Sequence, residues 1–353
     1  MKFIHIADVH LGAEPDAGGS YSAGRAAEIW NSFRQLIEVC RREKTELLLI
    51  AGDLFHRQPL LRELKEVDYL FSTIPETQVV LIAGNHDYLK KNSYYRTFCW
   101  SSNVHMILSE ELTCVELPEI QTAVYGLSYA AREIREPLYD AEPEKTNMPY
   151  RILLANGGDE AHIPFRRNVL EGKGYDYVAL GHIHKSGELI PGRMAYAGAL
   201  EPIDKNDTGS HGYMKGNLDK NGCRAVFVPF AMREYVHLEL NVTRDMTGFA
   251  LRTLLHQEME KQGVGHIYKI ILKGYRDPEV DFDFQTMDIY GNIVEVADET
   301  RPAYDFDKLR RKNGDNLIGR YIESFAESMD DEVEYEALCE GVCALLETIR
   351  GQA

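Results

Sequence analysis

The chain has 353 residues, of which 44% are apolar and 27% are charged, and its formal net charge is −17. This length accommodates one large domain and a smaller one, with the composition of a soluble globular protein. No apolar run reaches the roughly 18 residues that a membrane helix needs, and the opening segment is too short for a signal peptide, so we expect a cytoplasmic protein without membrane contact. The negative charge argues against broad attraction to nucleic acid, although it leaves room for a local basic groove.

Short apolar strands alternate with helices over the first two-thirds of the chain. Strands are predicted at Lys2–Ala7, Glu46–Ala51, Gln78–Ala83, Thr122–Leu127, Arg151–Ala155 and Tyr177–Leu180. Helices are predicted at Ala26–Arg42, where apolar residues recur with a period of 3.6, and at Leu60–Ser72. Strands that are buried on both faces and separated by helices predict an α/β sandwich of two sheets.

The pattern changes after residue 185 to short strands separated by glycine turns. Strands are predicted at Met194–Gly198, Gly212–Asn217 and Arg224–Phe230, and we assign them to the second sheet of the sandwich. We place a domain boundary between residues 233 and 234, giving domains 1–233 and 234–353. The smaller domain is predicted to be α+β and to end in two helices. Its predicted elements are Tyr235–Val242, Thr247–Gln262, His266–Gly274, Asp315–Met329 and Glu332–Ile349.

Four short polar motifs follow the ends of predicted strands. They are Asp8-Val9-His10, Gly52-Asp53-Leu54-Phe55-His56, Gly84-Asn85-His86-Asp87 and Gly181-His182-Ile183-His184. Functional loops of α/β folds gather at the carboxyl ends of strands, and mixed imidazole and oxygen ligands suit Mn, Fe, Zn or Co. Two such ions, about 4 Å apart, clamp a phosphoryl group for in-line attack. Each motif alone is weak, but all four in this order predict a dinuclear metal site.

This set of motifs resembles the calcineurin-like metallophosphoesterase superfamily. His56, the opening segment Met1–Gly12 and the segment Tyr196–Pro202 are similar to the SbcD-type DNA repair exonucleases. The resemblance is strong over about residues 1–230 and weak beyond them. It implies an αββα sandwich with a small α+β capping domain and terminal helices. It also implies a phosphodiesterase that cuts DNA as an exonuclease, and as an endonuclease as well in some members, through a hydroxide that bridges two metal ions.

The resemblance also implies a role for each motif residue. One ion would be held by Asp8, His10, Asp53 and His184, and the other by Asp53, Asn85, Asn156 and His182. His86 would stabilise the phosphate in the transition state or protonate the leaving oxygen. Asp87 would either orient His86 or serve as an ordinary turn residue. His56 would place the end of the DNA near the ions.

Position 156 departs from the family pattern, because Asn156 stands where the family has histidine. An amide oxygen suits Mn²⁺ or Mg²⁺ better than softer ions, so Mn is the predicted metal, with Fe, Zn and Mg as alternatives. We expect weaker binding of the second ion and lower turnover. His162 is a less favoured replacement for the missing ligand. A natural metal-selective site and an engineered inactivating change both fit this residue.

Basic and aromatic residues flank the motifs and are candidates for contact with DNA phosphates and bases. They are Arg57, Lys90, Lys91, Tyr94, Tyr95, Arg96, Lys185, Arg193 and Lys205, and an ordinary solvated surface is the alternative interpretation. The apolar stripe of the C-terminal helices predicts internal packing. The resemblance implies instead a docking site for an SbcC-type ATPase, and it also implies a homodimer. Besides a DNA phosphodiesterase, a small-molecule phosphodiesterase or phosphatase and a weakly catalytic DNA-end-binding subunit stay open.

Overall fold

The computed structural model describes residues 1–280, 282–326 and 332–350, without the side chains at 285, 332, 349 and 350. The chain forms two compact units, residues 1–236 and 237–353. The predicted helix end at Met329 and the last three residues of the predicted second domain lie outside the described residues. Within those described ranges, no helix is both long enough and apolar enough to cross a membrane.

The first unit is built from twelve strands and three helices. The strands are β1 (Lys2–Ile6), β2 (Leu47–Ala51), β3 (Gln78–Ile82), β4 (Val104–Ile107), β5 (Thr113–Leu117), β6 (Thr122–Gly126), β7 (Tyr150–Asn156), β8 (Tyr177–Gly181), β9 (Gly187–Ile190), β10 (Met194–Tyr196), β11 (Gly212–Asp219) and β12 (Gly222–Pro229). The helices are α1 (Ser22–Glu43), α2 (Leu61–Ser72) and α3 (Arg167–Gly172). Every strand predicted in this unit is present, with ends that differ from the prediction by no more than two residues.

The strands form two six-stranded sheets, ordered β12-β11-β1-β2-β3-β4 and β5-β6-β7-β8-β10-β9. The assignment of β10 to the second sheet is confirmed, but that of β11 and β12 is wrong. β11 runs antiparallel to β1, with Gly216 opposite Phe3. A side chain at position 216 would overlap the Phe3 ring, so this pairing requires glycine there. The pairing of β11 with β1 depends on residues that are far apart in the sequence, so the local pattern of apolar residues does not predict it.

Alternating side chains of the first sheet enter two separate cores. One face packs on α1 and α2, where Ile50 meets Phe33 and Val67 in a buried cluster. The other face packs on the second sheet, where Leu49 and Leu154 share a cluster. The outer face of the second sheet is covered by α3 and by loop residues, including Leu170, Tyr129, Tyr139 and Ile163. The predicted two-sheet sandwich is therefore confirmed.

The second unit combines a small sheet with helices, one of which lies between its first two strands. Its elements are β13 (Tyr235–Val242), α4 (Gly248–Gln262), β14 (Ile267–Arg276), β15 (Ile293–Asp298), β16 (Arg301–Pro302), α5 (Phe306–Lys312), α6 (Leu317–Ser324) and α7 (Glu332–Arg350). The sheet has the order β13-β14-β15, and β16 pairs with β14. The apolar stripe of α6 and α7 packs internally, with Ile318 and Ile322 against Leu338. Leu317 and Val333 remain exposed.

Candidate metal centre

The loops that follow β1 and β2 are joined by backbone hydrogen bonds at the edge of the first sheet. The Asp8 amide donates to the Gly52 carbonyl at 3.2 Å, and the His10 amide donates to the Asp53 carbonyl at 3.0 Å. In the second sheet, Asn156 ends β7 and pairs in register with Gly181, the residue before His182. The two sheets are linked at this place, because the Asn156 side-chain amide donates to the Ala51 carbonyl of β2 at 2.9 Å.

Backbone strain is concentrated at the predicted ligands. Asp8, His10 and Asp53 have φ angles of 49°, 51° and 49°, and His182 has a φ of 92°. They are four of the eight non-glycine residues with positive φ in the described part of the chain. Such conformations cost on the order of 1–3 kcal/mol each and persist only where the surrounding structure enforces them. The strain indicates that the direction of these side chains matters more than local stability.

Gly84 is required by the close approach of the third motif to Asp53. A Cβ atom at this position would lie 2.6 Å from the Asp53 backbone nitrogen. We expect Gly84→Ala to lower the free energy of unfolding by about 1–3 kcal/mol, as overpacking typically does. Thermal and urea unfolding measure this, with Gly172→Ala in α3 as the matched control, since a Cβ there meets nothing within 4 Å. Equal stability of the two variants would contradict the packing argument.

Asp8, His10 and His184 form one half of the cluster, with one donor atom of each within 4.8 Å of the others. The Nε2 atoms of His10 and His184 are 3.1 Å apart. Nδ1 of His184 lies 3.0 Å from the Asp207 carboxylate. Because a carboxylate only accepts, this contact places a proton on Nδ1 of His184, and in the neutral ring Nε2 keeps a free lone pair. Lone pairs spaced in this way suit ligands of one cation.

His182 and Asn85 form the other half. Nδ1 of His182 lies 3.1 Å from Oδ1 of Asn85, while Nε2 lies 2.7 Å from the Asp159 carboxylate. The backbone amide of His182 donates to both Asp8 oxygens, at 2.9 and 3.0 Å, and so links this half to the first. Asp53, the residue predicted to serve both ions, accepts the His86 amide at 2.7 Å.

Asn156 is fully buried beside this half of the cluster. Its Nδ2 donates to the Ala51 carbonyl at 2.9 Å, whereas its Oδ1 is buried without a hydrogen-bond partner. A buried acceptor without a donor is costly, and a hard cation satisfies it. The residue therefore fits an oxygen ligand. His162, the alternative replacement, is engaged with Asp159, with its ring centroid 4.3 Å from that of His182.

The electrostatics of the cluster favour bound cations. Burial raises the pKa of Asp8 to about 7 and the pKa of Asp53 well above its ordinary value, in the second case with added repulsion from Asp87 and Asp8. Burial, followed by the neighbouring histidines, lowers the pKa of His10 well below its ordinary value. The neutral imidazole of His10 is the form that a metal ligand needs, whereas the ionised carboxylates of Asp8 and Asp53 are disfavoured until a divalent ion neutralises their charge.

The three residues predicted to be catalytic have different surroundings. Nδ1 of His86 lies 3.2 Å from the His56 carbonyl, so it donates there and leaves Nε2 free. Nδ1 of His56 lies 3.3 Å from Nδ1 of His10, beside the first half of the cluster. Asp87 is fully buried and accepts from the Gly84 and Phe55 amides and the Tyr95 hydroxyl, at 2.8, 3.2 and 2.8 Å. These contacts join the second and third motifs and do not involve the His86 ring.

The basic residues predicted to contact DNA, Lys90, Lys91, Arg96 and Lys185, are all exposed. The Arg96 guanidinium donates to the Leu89 carbonyl and pairs with Glu110, so it holds its own loop. Tyr95 was a candidate for contact with DNA or for a solvated surface position, and both interpretations are wrong because its side chain is buried and bound to Asp87. Tyr94, the adjacent aromatic residue, is 46% exposed.

Two carboxylates at the cluster, Asp159 and Asp207, were not predicted. Both accept from histidines that are predicted to be metal ligands and lie more than twenty residues away in sequence. Asp159 lies three residues after Asn156, and a search for acids near the departure from the family pattern would have found it. The segment that contains Asp207 carries no comparable signal in the sequence.

Buried carboxylates and imidazoles at the strand ends of a two-sheet sandwich define a metal-dependent phosphoesterase. The chain belongs to the calcineurin-like phosphoesterase family, which it matches over residues 1–186. It is 30% identical over 301 residues to the uncharacterized metallophosphoesterase YhaO of Bacillus subtilis (strain 168), covering 78% of this chain and 72% of that protein.

The chain is also similar to archaeal proteins named DNA double-strand break repair protein Mre11. The Methanocaldococcus jannaschii protein is 29% identical over 220 residues, covering 59% of this chain and 58% of that protein. The Methanopyrus kandleri protein is 24% identical over 308 residues, covering 77% and 65%. The predicted superfamily is thereby confirmed, and membership implies divalent metal ions.

Proposed function

We propose that this protein is a phosphodiesterase that hydrolyses DNA with two bound divalent metal ions. Mn²⁺ is the metal that fits the ligands best. The observation that carries the proposal is the pair of facing contacts His10–His184 and His182–Asn85, each 3.1 Å long, between atoms that serve as metal ligands. Bound ions would supply an activated water and neutralise the phosphate charge. The unpartnered oxygen of Asn156 favours a hard ion such as Mn²⁺.

Each residue has a definite part in this proposal. Asp8, His10, Asp53 and His184 would hold one ion, and Asp53, Asn85, Asn156 and His182 would hold the other. His86, whose free Nε2 lies on the side of the ring away from the His56 carbonyl, would act on the phosphate or the leaving oxygen once protonated. Asp87 would act as a positioning residue, since its bonds fix the loops that carry Asp53 and His86.

DNA is the favoured substrate because several relatives carry the name of a DNA repair protein and because Lys90 and Lys91 are exposed directly after the third motif. Two observations favour a second candidate, a phosphodiesterase for small molecules. Tyr95 is buried and Arg96 is paired, so the loop offers fewer groups to a nucleic acid than its sequence predicts. The formal net charge of −17 also favours a small-molecule substrate, because it opposes general attraction to nucleic acid.

Hydrolysis by the full chain with Mn²⁺ tests both candidates. The substrates are end-labelled single-stranded and double-stranded linear DNA and an aryl phosphodiester, and the proteins are the wild type and Asn156→His. We expect the wild type to cut DNA and Asn156→His to cut faster, because imidazole is the stronger ligand for the second ion. Omission of Mn²⁺ is the control for metal dependence.

The other outcomes separate the alternatives. Hydrolysis of the aryl diester but not of DNA would favour the small-molecule enzyme. Cutting by Asn156→His alone would mean that Asn156 disables the centre, and would favour the DNA-end-binding subunit. Absence of hydrolysis in both proteins on all substrates would contradict the proposal.

A homodimer and docking of an SbcC-type ATPase are further parts of the proposal, and Leu317 and Val333 are the exposed members of the C-terminal stripe.

A further inference from the structure

Asp159 lies outside the predicted ligand set but contacts one of its members. Its Oδ2 lies 2.7 Å from Nε2 of His182. Its carboxylate also accepts from Nδ1 of His162 at 2.9 Å and from the backbone amides of Ala161 and His162 at 2.8 and 3.0 Å. The two backbone donors close a turn that fixes the carboxylate in place before any ligand binds.

The contact decides which ring nitrogen of His182 carries the proton. A carboxylate accepts and does not donate, so Nε2 of His182 must be protonated. In the neutral ring, Nδ1 then presents a lone pair toward Oδ1 of Asn85, 3.1 Å away. Two acceptors at this distance repel each other unless a cation lies against both. Histidine ligands commonly donate their other ring proton to a carboxylate, which fixes the tautomer and raises the basicity of the ligand nitrogen.

Binding of the second ion depends more on the tautomer of His182 in this chain than it would if position 156 were histidine. The side chains implied for the second ion are Asp53, Asn85, Asn156 and His182, and His182 is the imidazole among them. A family member with histidine at position 156 has a second nitrogen ligand, whereas this chain offers an amide oxygen there. If Nδ1 of His182 lost its lone pair, the second ion would keep only oxygen ligands from these four side chains.

We propose that Asp159 is a positioning residue that holds His182 as the Nε2-protonated tautomer and thereby retains the second metal ion beside Asn156. The inference rests on the proposed function only in assuming that a second ion binds. His162 and the turn at Asp159 secure the carboxylate. Asp207 makes the corresponding contact with His184, at 3.0 Å, in the other half of the centre.

The first test needs no metal and no activity. Long-range ¹H–¹⁵N correlation spectra of metal-free protein labelled with ¹⁵N-histidine report the protonated ring nitrogen, with His182→Gln assigning the signals. We expect His182 to carry its proton on Nε2 in the wild type and to become a mixture of tautomers in Asp159→Ala. Asp159→Asn, which keeps an acceptor and the turn, should lie between them. An Nδ1-protonated His182 in the wild type would overturn the inference.

The second test is the stoichiometry and affinity of Mn²⁺ binding, measured by equilibrium dialysis and titration calorimetry. We expect Asp159→Asn to raise the dissociation constant of the second ion about 10–100-fold and to leave the first unchanged. The matched control is Glu160→Gln, which removes the same charge from the adjacent exposed residue. If both variants changed the dissociation constant of the second ion equally, Asp159 would act only through its charge, and the inference would be overturned.

These measurements also separate the inference from the proposed function. A correct tautomer with two bound ions but no hydrolysis of DNA would refute the substrate and support the role of Asp159. A wild type that binds fewer than two ions would overturn both. Asp159, His162 and His182 also have donor atoms within 4.8 Å of one another. If the wild type binds a third ion that His162→Ala removes, these residues form a separate metal site and the positioning role is wrong.

Discussion

Asp53→Asn should lose metal-dependent hydrolysis of phosphodiesters by about three orders of magnitude or more. Asp53 is buried, and the proposal gives its carboxylate to both ions. The amide has nearly the same shape, and its oxygen still accepts the His86 amide, so the loops should keep their positions. What changes is the negative charge between the two halves of the cluster. We therefore expect the variant to bind fewer than two Mn²⁺ ions.

Thermal unfolding distinguishes this loss from misfolding. Burial and the charges of Asp87 and Asp8 raise the pKa of Asp53, so its ionised form is unfavourable in the metal-free protein. Metal-free Asp53→Asn should be at least as stable as the metal-free wild type. Added Mn²⁺ should stabilise the wild type, because it binds the folded state, and stabilise the variant much less. Glu160→Gln serves as the control, and full activity with two bound ions in Asp53→Asn would contradict the shared role.

Local pattern and spacing were sufficient to predict the strands that carry the site. β2 consists of five buried apolar residues, and β3 and β8 are nearly as apolar, so each is recognisable without knowledge of its partners. β5 and β9 are mostly half-buried or exposed and give a weak signal, so neither is predicted from the sequence, and the four-residue strand β4 is not predicted either. The sheet membership of β11 and β12 was wrong because pairing with β1 depends on contacts more than two hundred residues apart.

The site shows the same division. The residue types of the motifs and their places after strands are local properties, and the sequence was enough to group them. The direction of each side chain is not local, because it depends on positive φ angles enforced by neighbouring loops. Asp87 is the clearest case. Its position in the third motif suggested contact with His86, whereas burial turns its carboxylate to the second motif and to Tyr95.

His86→Gln should lower the turnover number about 10²–10⁴-fold without changing the number of bound ions, since His86 is not among the proposed ligands. Burial lowers the pKa of His86 to about 4, so its imidazole is neutral at pH 7, with Nδ1 donating to the His56 carbonyl. A bare Nε2 cannot donate a proton. The anionic phosphodiester, once bound, raises the pKa of His86 and so favours the ring with a proton on Nε2, which is the form that a general acid needs.

The pH dependence of this effect tests the acid role. Only the protonated ring can donate, and its fraction falls tenfold for each pH unit above the pKa. The ratio of wild-type to His86→Gln turnover should therefore be larger at pH 6 than at pH 8, with Mn²⁺ saturating at both. His237→Gln, at an exposed position in the second unit, is the control. A ratio that does not change with pH would show that His86 acts by contact with the phosphate rather than by proton transfer.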